Sequence, residues 1–514
     1  MEYEILLKNT GGFGRLQVVM LLLFGVLCFK AMCELQLFVL MQSQPLYRCA
    51  QQNTSGYDPQ EYAAHCKITR YFNESTGGNY TEACKNFQYR QVYLKKTLIQ
   101  EYDMICDRSI YATVMTSMYF LGHALGILLS TLGDRIGRKA LFYGAGALDI
   151  LTTLLPVFMP TVETQILSRF LIGIPTPIFS QGLLLLYELT MQEHRGLVGN
   201  FYWLFWCAGY MSSAILAFLL QDWRRIQLVS CAFCISYPFI YVFVPESPRW
   251  LGLRGRTEDA KKVFSQLARW NGVQWTPDEN FDVNIEAEPT GRVQELFQFS
   301  QMRKKTLICF WMMLVLSLCY YGLSIDSSFI TENIFINTAI SGALEIPSYL
   351  IAAPLCNLLG RRWPTMTSTA VSGACIIVSA FQAYGVAKLV VAIIGKTLLT
   401  TAFSIMSILA AELFPTSVRN TGMFLTLLLS ALLTTISPVI GSLTTIEPWL
   451  PGLLFGGLAA ISSVLIYVLP ETSGLPLPET VEQSEALYHA SETVWLKSRT
   501  NTRQNRSSII PIVN

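Results

Sequence analysis

The sequence predicts an all-α membrane protein, with twelve transmembrane helices in two pseudo-symmetric six-helix bundles. Three observations predict it. The chain is 52% hydrophobic and only 14% charged over 514 residues, with a mean hydropathy of +0.39, too little charge to solvate a soluble protein of that length. Apolar runs long enough to cross a bilayer recur along it. Short polar strings also recur, and they do so at one separation.

The first bundle is written in six runs, 16–41, 110–132, 140–160, 163–186, 197–220 and 226–244. The second is written in six more, 306–326, 334–355, 365–386, 389–411, 421–443 and 452–469. Each approaches the roughly 20 residues a helix needs to span the hydrocarbon core. This divides the chain into a bundle over 1–244, a polar linker over 245–305, a bundle over 306–469 and a tail over 470–514. Within the linker, "TEDAKKVFSQLARW" (257–270) has the spacing of an amphipathic helix, with Thr257 as its expected cap. The tail is polar and mixed in charge, and its composition predicts no packed structure from about 497.

The polar strings lie between the runs. "GDRIGRK" (133–139) is answered by "CNLLGRR" (356–362), so that Gly137 and Gly360 correspond at a shift of 223. "YELTMQEHRG" pairs Glu188 with Arg195 as "AELFPTSVRN" pairs Glu412 with Arg419, a shift of 224. "VPESPRW" (244–250) answers to "LPETSGLPLPET" (469–480), a shift of 225 between Pro245 and Pro470. Three unrelated strings at one offset mean an internal duplication of half the chain.

Charge fixes the expected orientation. The short loops "GDRIGRK" and "GRRWPT" are net positive and belong in the cytoplasm, with both termini. The long loop 42–109 then faces outside. It carries three glycosylation sequons, at Asn53, Asn73 and Asn79, and an even set of cysteines, Cys49, Cys66, Cys84 and Cys106. In an oxidising compartment four cysteines allow three pairings. The N-terminal segment "MEYEILLKNTGGFGR" lacks the basic start of a cleavable signal peptide.

Catalysis finds no foothold. No Ser/His/Asp set, metal cluster or phosphate loop stands out, and Cys231 and Cys234 read as buried thiols one helical turn apart. No enzyme, cofactor, metal or nucleic-acid partner is expected, the last because no basic patch with interleaved aromatics occurs.

"GDRIGRK" after the second run, Glu-x6-Arg after the fourth and "PESPRW" after the sixth resemble the major facilitator superfamily. The Cys-rich first loop, "EYDMIC", "CYYGL", "LEIPS" and the N-terminal "GGFGRLQ" resemble, more narrowly, the organic cation, anion and zwitterion transporters of solute carrier family 22. The resemblance runs from the N-terminus to about 480. It implies alternating access of a small organic ion across the plasma membrane, driven without ATP by a gradient, the membrane potential, or a coupled or exchanged ion.

Physical reasoning and the resemblance both give the repeated charges a cytoplasmic latch. Asp134, Arg138, Glu188, Arg195 and Glu246 form the first-half set, and Arg361, Glu412, Arg419 and Glu471 the second. Asp134 is expected to meet the positive start of the eleventh helix. Asn357 stands where a second acid would complete the symmetry.

Charges within spans mark function. They are Lys30 and Glu34 four apart in span 1, Asp149 in span 3, Glu345 in span 8 and Lys396 in span 10, with His123 a polar outlier in span 2. Ring faces suit cations and flat solutes. Trp203, Trp206 and Tyr210 fall on one stripe of span 5, with Phe179, Tyr320 and Tyr321 elsewhere. Ala431 occupies the position where the family's cation carriers have Asp and its anion and carnitine carriers usually have Arg. Three acids and many rings against two lysines favour an organic cation or zwitterion. An organic anion carrier and a non-transporting receptor on the same shell are the alternatives.

Overall fold

In the computed structural model the described residues are 3–49, 66–71, 79–84, 86–237, 243–276, 292–326, 330–383, 385–475 and 477–485. Asn53, Asn73 and the tail from 486 lie outside them. Among the described residues, nine helices are long and apolar enough to cross a membrane. Leu450–Ile466 is shorter but as apolar. Arg362–Ala380 forms the ninth span. The sixth begins at Trp223, opened by the Asp222 carboxylate accepting the Arg224 N–H, and runs on beyond Ile235. Large apolar side chains such as Leu151, Leu219, Ile461 and Val464 stay more than two-thirds exposed. A bilayer supplies the apolar surroundings such a surface needs.

Each half has its own core. In the first, Phe24, Phe142, Phe179, Leu186 and Tyr237 pack together, and Phe264 and Leu267 of the linker helix Thr257–Asn271 join them. In the second, Met312, Leu316, Leu399, Phe414 and Phe455 form the centre. Thr257 is the first residue inside the linker helix, not its cap. The side chain of the preceding Arg256 bonds Asp259 within the first turn.

The duplication is visible in three dimensions. Glu246 accepts the backbone N–H groups of Arg138 (3.1 Å) and Lys139 (3.2 Å), the start of the third span. Glu471 accepts those of Arg361 (2.8 Å) and Arg362 (3.1 Å), the start of the ninth. A helix start presents unpaired N–H groups and a positive dipole end, so a carboxylate there is held by several charge-assisted bonds. Gly137 (φ +103°) and Gly360 (φ +85°) turn the chain immediately before each helix, in the left-handed region glycine tolerates.

The long loop is tied by disulfides Cys49–Cys84 and Cys66–Cys106, one of the three pairings the sequence allowed. Strand Leu46–Cys49 pairs antiparallel with Phe87–Arg90, and Lys67–Tyr71 with Asn79–Ala83. The loop then docks on the first half. Trp223 donates its backbone N–H to the Lys96 carbonyl, Lys95 and Lys96 donate theirs to the Gln221 carbonyl, and Glu101 bridges Lys96 (2.6 Å) and Arg224 (2.8 Å). The opposite end of the molecule holds the linker helix and the first and last described segments, with Tyr3 bonded to the Glu188 carbonyl and Glu485 to the N–H groups of Gln301 and Met302.

Removing either carboxylate clamp is expected to destabilise its half. Glu246→Gln and Glu471→Gln should each cost about 2 kcal/mol, read as a thermal midpoint in detergent lowered by several degrees. Glu258→Gln, on the exposed linker helix, should leave the midpoint in place.

Candidate functional site

The two halves meet along spans that carry the aromatic stripe. On the fifth span Trp203 stacks on Tyr349 of the eighth, centroids 6.0 Å apart. Trp206 donates its indole N–H to the Tyr320 hydroxyl at 3.1 Å, and Tyr320 donates to Glu345 Oε1 at 2.7 Å. Tyr210 donates to the Ser324 carbonyl and accepts from the Lys396 ammonium at 3.0 Å, with Lys396 5.0 Å from the ring centre. Tyr321 meets Phe120 of the second span edge-to-face at 5.1 Å.

Among the described residues the seam brings in Glu345 and Lys396, an acid and a base, both on the second half. Glu345 is fully buried and Lys396 is 2% exposed. Glu345 spends one oxygen on Tyr320, and Oε2 has no hydrogen-bond partner. An unpartnered carboxylate oxygen away from water is costly, and a cation beside it would relieve that cost. The rings around it offer faces to the same cation. Ala431 is buried on the eleventh span and brings no charge.

The other intramembrane charges gather elsewhere. Lys30 pairs with Glu34 at 2.8 Å and also with Asp149, both within the first half. Tyr237 donates to Asp149 at 2.6 Å, and Thr153 bonds both Lys30 and Asp149. Arg169 is also buried, on the fourth span. It bonds Gln227 at 3.1 Å and lies 4.3 Å from the Phe38 ring centre. An arginine inside the apolar run "SRFLIG" was the signal that could have found it. Two bases and two acids therefore share the first half. Of the three acids counted toward a cation, Glu34 and Asp149 are both engaged by Lys30. Phe179 is a core ring of the first half, 5.8 Å from Phe142 and 5.5 Å from Tyr237.

The repeated charges gather in two sets, one in each half, with Arg195, Arg419 and Asp134 placed otherwise than expected. Arg138 pairs with Glu188 at 2.9 Å, and Arg361 with Glu412 at 3.1 Å, each within its own half. Arg195 turns from Glu188 to Glu4 at 2.8 Å and to the Tyr187 and Thr190 carbonyls. Arg419 donates to the Phe414 carbonyl. The i, i+7 spacing of Glu188 and Arg195 is a turn-closing device, not an ion pair. Asp134 is largely exposed and pairs with Arg138 four residues on at 3.2 Å, in place of the expected start of the eleventh helix. The reach is local: Arg138 lies one turn away along the same chain.

Two six-helix bundles joined at a partly polar seam define a secondary transporter of the major facilitator superfamily, not an enzyme. The sequence profile described as sugar (and other) transporter matches residues 49–483, and the chain belongs to that family. It is 28% identical to the organic cation transporter-like protein of Drosophila melanogaster, over 94% of this chain and 93% of the relative. It is 28% identical to solute carrier family 22 member 7 of Mus musculus, over 94% and 97%. The inward-open xylose transporter XylE of E. coli superposes with a TM-score of 0.59, covering 91% of this chain and 98% of that one at 14% identity.

The buried first-half cluster makes a non-additive prediction. Lys30→Met removes the cation that both acids pair with and should cost about 3–5 kcal/mol, whereas Asp149→Leu leaves Lys30 paired with Glu34 and should cost less. The double variant should recover about 1–3 kcal/mol of the summed loss. Thermal midpoints of the four proteins check this, and simple additivity would refute the pairing.

Proposed function

We propose that this chain carries small organic ions, cations or zwitterions foremost, across the plasma membrane by alternating access. The observation that supports it most is the free oxygen of Glu345, buried on a seam lined by Trp206, Tyr320 and Tyr321. A quaternary ammonium group has no N–H to donate, so a carboxylate charge and ring faces are the contacts it can use. The organic cation transporter name of the Drosophila relative agrees with that chemistry. Lys396 favours a second reading, an organic anion, in which the ammonium leaves the Tyr210 hydroxyl for the solute. A receptor that keeps the shell without transporting is the remaining alternative.

In this proposal the halves rock about the seam, and the Arg138–Glu188 and Arg361–Glu412 pairs, with their glutamate clamps, brace each half as it moves. Both termini face the cytoplasm. The disulfide-tied loop faces outside, where Asn53, Asn73 and Asn79 are glycosylated. The drive is the solute's own gradient, the membrane potential, or a coupled or exchanged ion.

Tracer uptake into proteoliposomes tests the solute. A quaternary ammonium probe should enter saturably, and Glu345→Gln should cut uptake at low concentration by roughly tenfold or more. Saturable uptake of an aromatic carboxylate instead, untouched by Glu345→Gln and lost in Lys396→Met, would establish the anion reading. No flux of either would favour the receptor. For the topology, glycosidase treatment of protein from mammalian cells should lower its apparent mass. Changing Asn53, Asn73 and Asn79 together to Gln should abolish that shift.

A further inference from the structure

Where the first span begins, its opening turn runs alongside the linker helix Thr257–Asn271. A cavity of about 1230 Å³ lies between them, lined by Arg15, Val18, Lys262, Gln266, Arg269 and Trp270 among others. The joint is fixed. Asn271 accepts the Leu16 N–H at 3.2 Å and donates to the Thr10 carbonyl at 3.1 Å, while the opposite face of the linker helix buries Val263, Phe264 and Leu267 in the first-half core. Asn271 therefore holds Arg15 and Arg269 on either side of itself.

Three basic side chains line this cavity and no acidic one does. Lys262 is engaged by Asp259 at 2.9 Å. Arg15 and Arg269 form no ion pair or side-chain hydrogen bond among the described residues. Two unpaired guanidiniums facing one cleft are suited to a phosphate, which each can grip with two parallel N–H bonds. Trp270 is 37% exposed at its edge, in the manner of aromatic residues at a membrane–water boundary. Above the cleft Val18 and Leu22 of the first span are 41% and 52% exposed, an apolar track leading away from the charges. A free phosphate would use the arginines and leave the track idle. A phospholipid uses both.

We infer that this cleft binds an anionic phospholipid from the leaflet at the linker end, with its headgroup on Arg15 and Arg269 and an acyl chain along Val18 and Leu22. By stiffening the joint between the first span and the linker helix, the lipid stabilises the first half.

The test uses the full-length protein in nanodiscs of phosphatidylcholine with a small fraction of phosphatidylserine or a phosphoinositide. Retained lipid is read by native mass spectrometry and stability by thermal midpoint. The anionic lipid should be retained and should raise the midpoint. Arg15→Gln with Arg269→Gln should weaken retention about thirtyfold, taking about 1 kcal/mol for each basic group at a membrane surface. The same pair changed to Lys should keep most of the retention, and all variants should match wild type in pure phosphatidylcholine, which separates binding from folding. Arg303→Gln with Lys304→Gln removes equal charge from the second half and should change little. Equal loss in that control would overturn the inference in favour of general surface charge. So would equal retention of phosphatidylcholine, or full stabilisation by a soluble inositol phosphate.

Discussion

One carboxylate in each half gathers the peptide N–H groups at the start of a membrane-crossing helix, and the separateness of the two bundles depends on it. Glu246 does this for the third span and Glu471 for the ninth. Each clamp reaches across more than a hundred residues of chain, so it joins the last segment of a bundle to its middle. Beside each clamp an arginine–glutamate pair closes the same half. Charged groups at this end therefore consolidate two bodies without welding them together. Helix-start dipoles and full charges interact strongly where water is scarce, so the closure is stiff.

The seam between the bodies is built differently. It consists of ring contacts, a tryptophan-to-tyrosine-to-glutamate chain of hydrogen bonds and a lysine resting on Tyr210. Such contacts are individually modest and can re-form with new neighbours after a small rotation. Lys30 pairs with both Glu34 and Asp149 within a single half, although Glu34 Oε1, like Glu345 Oε2, has no hydrogen-bond partner. Glu345, whose second oxygen is unmatched, sits where the halves touch.

The architecture was legible because it is written in features that need no distant partner. Span length, apolar composition and the recurrence of "GDRIGRK" or "PESPRW" are local, and the duplication made each reading support the other. Contacts across the chain were not legible. Nothing in span 1 announces that Lys30 will meet Asp149 far along the sequence. Asp134 was expected to seek a helix end in the other half, but the flexible arginine one turn away reached it first. The seven-residue spacing of Glu188 and Arg195 repeated faithfully, yet it repeats a turn in which the arginine binds carbonyls. The disulfide pairing stayed open for a simpler reason: four cysteines in one loop carry no record of which strands will lie side by side.

Tyr93 belongs to the disulfide-tied loop of the first bundle, yet its hydroxyl bonds the Glu332 carbonyl and its ring meets Phe335, both in the second. The loop is thus anchored on one body and also touches the other through Tyr93. A molecule that grips this segment can bias which way the two bodies lean without ever entering the passage. A fluorophore placed there can report that lean directly.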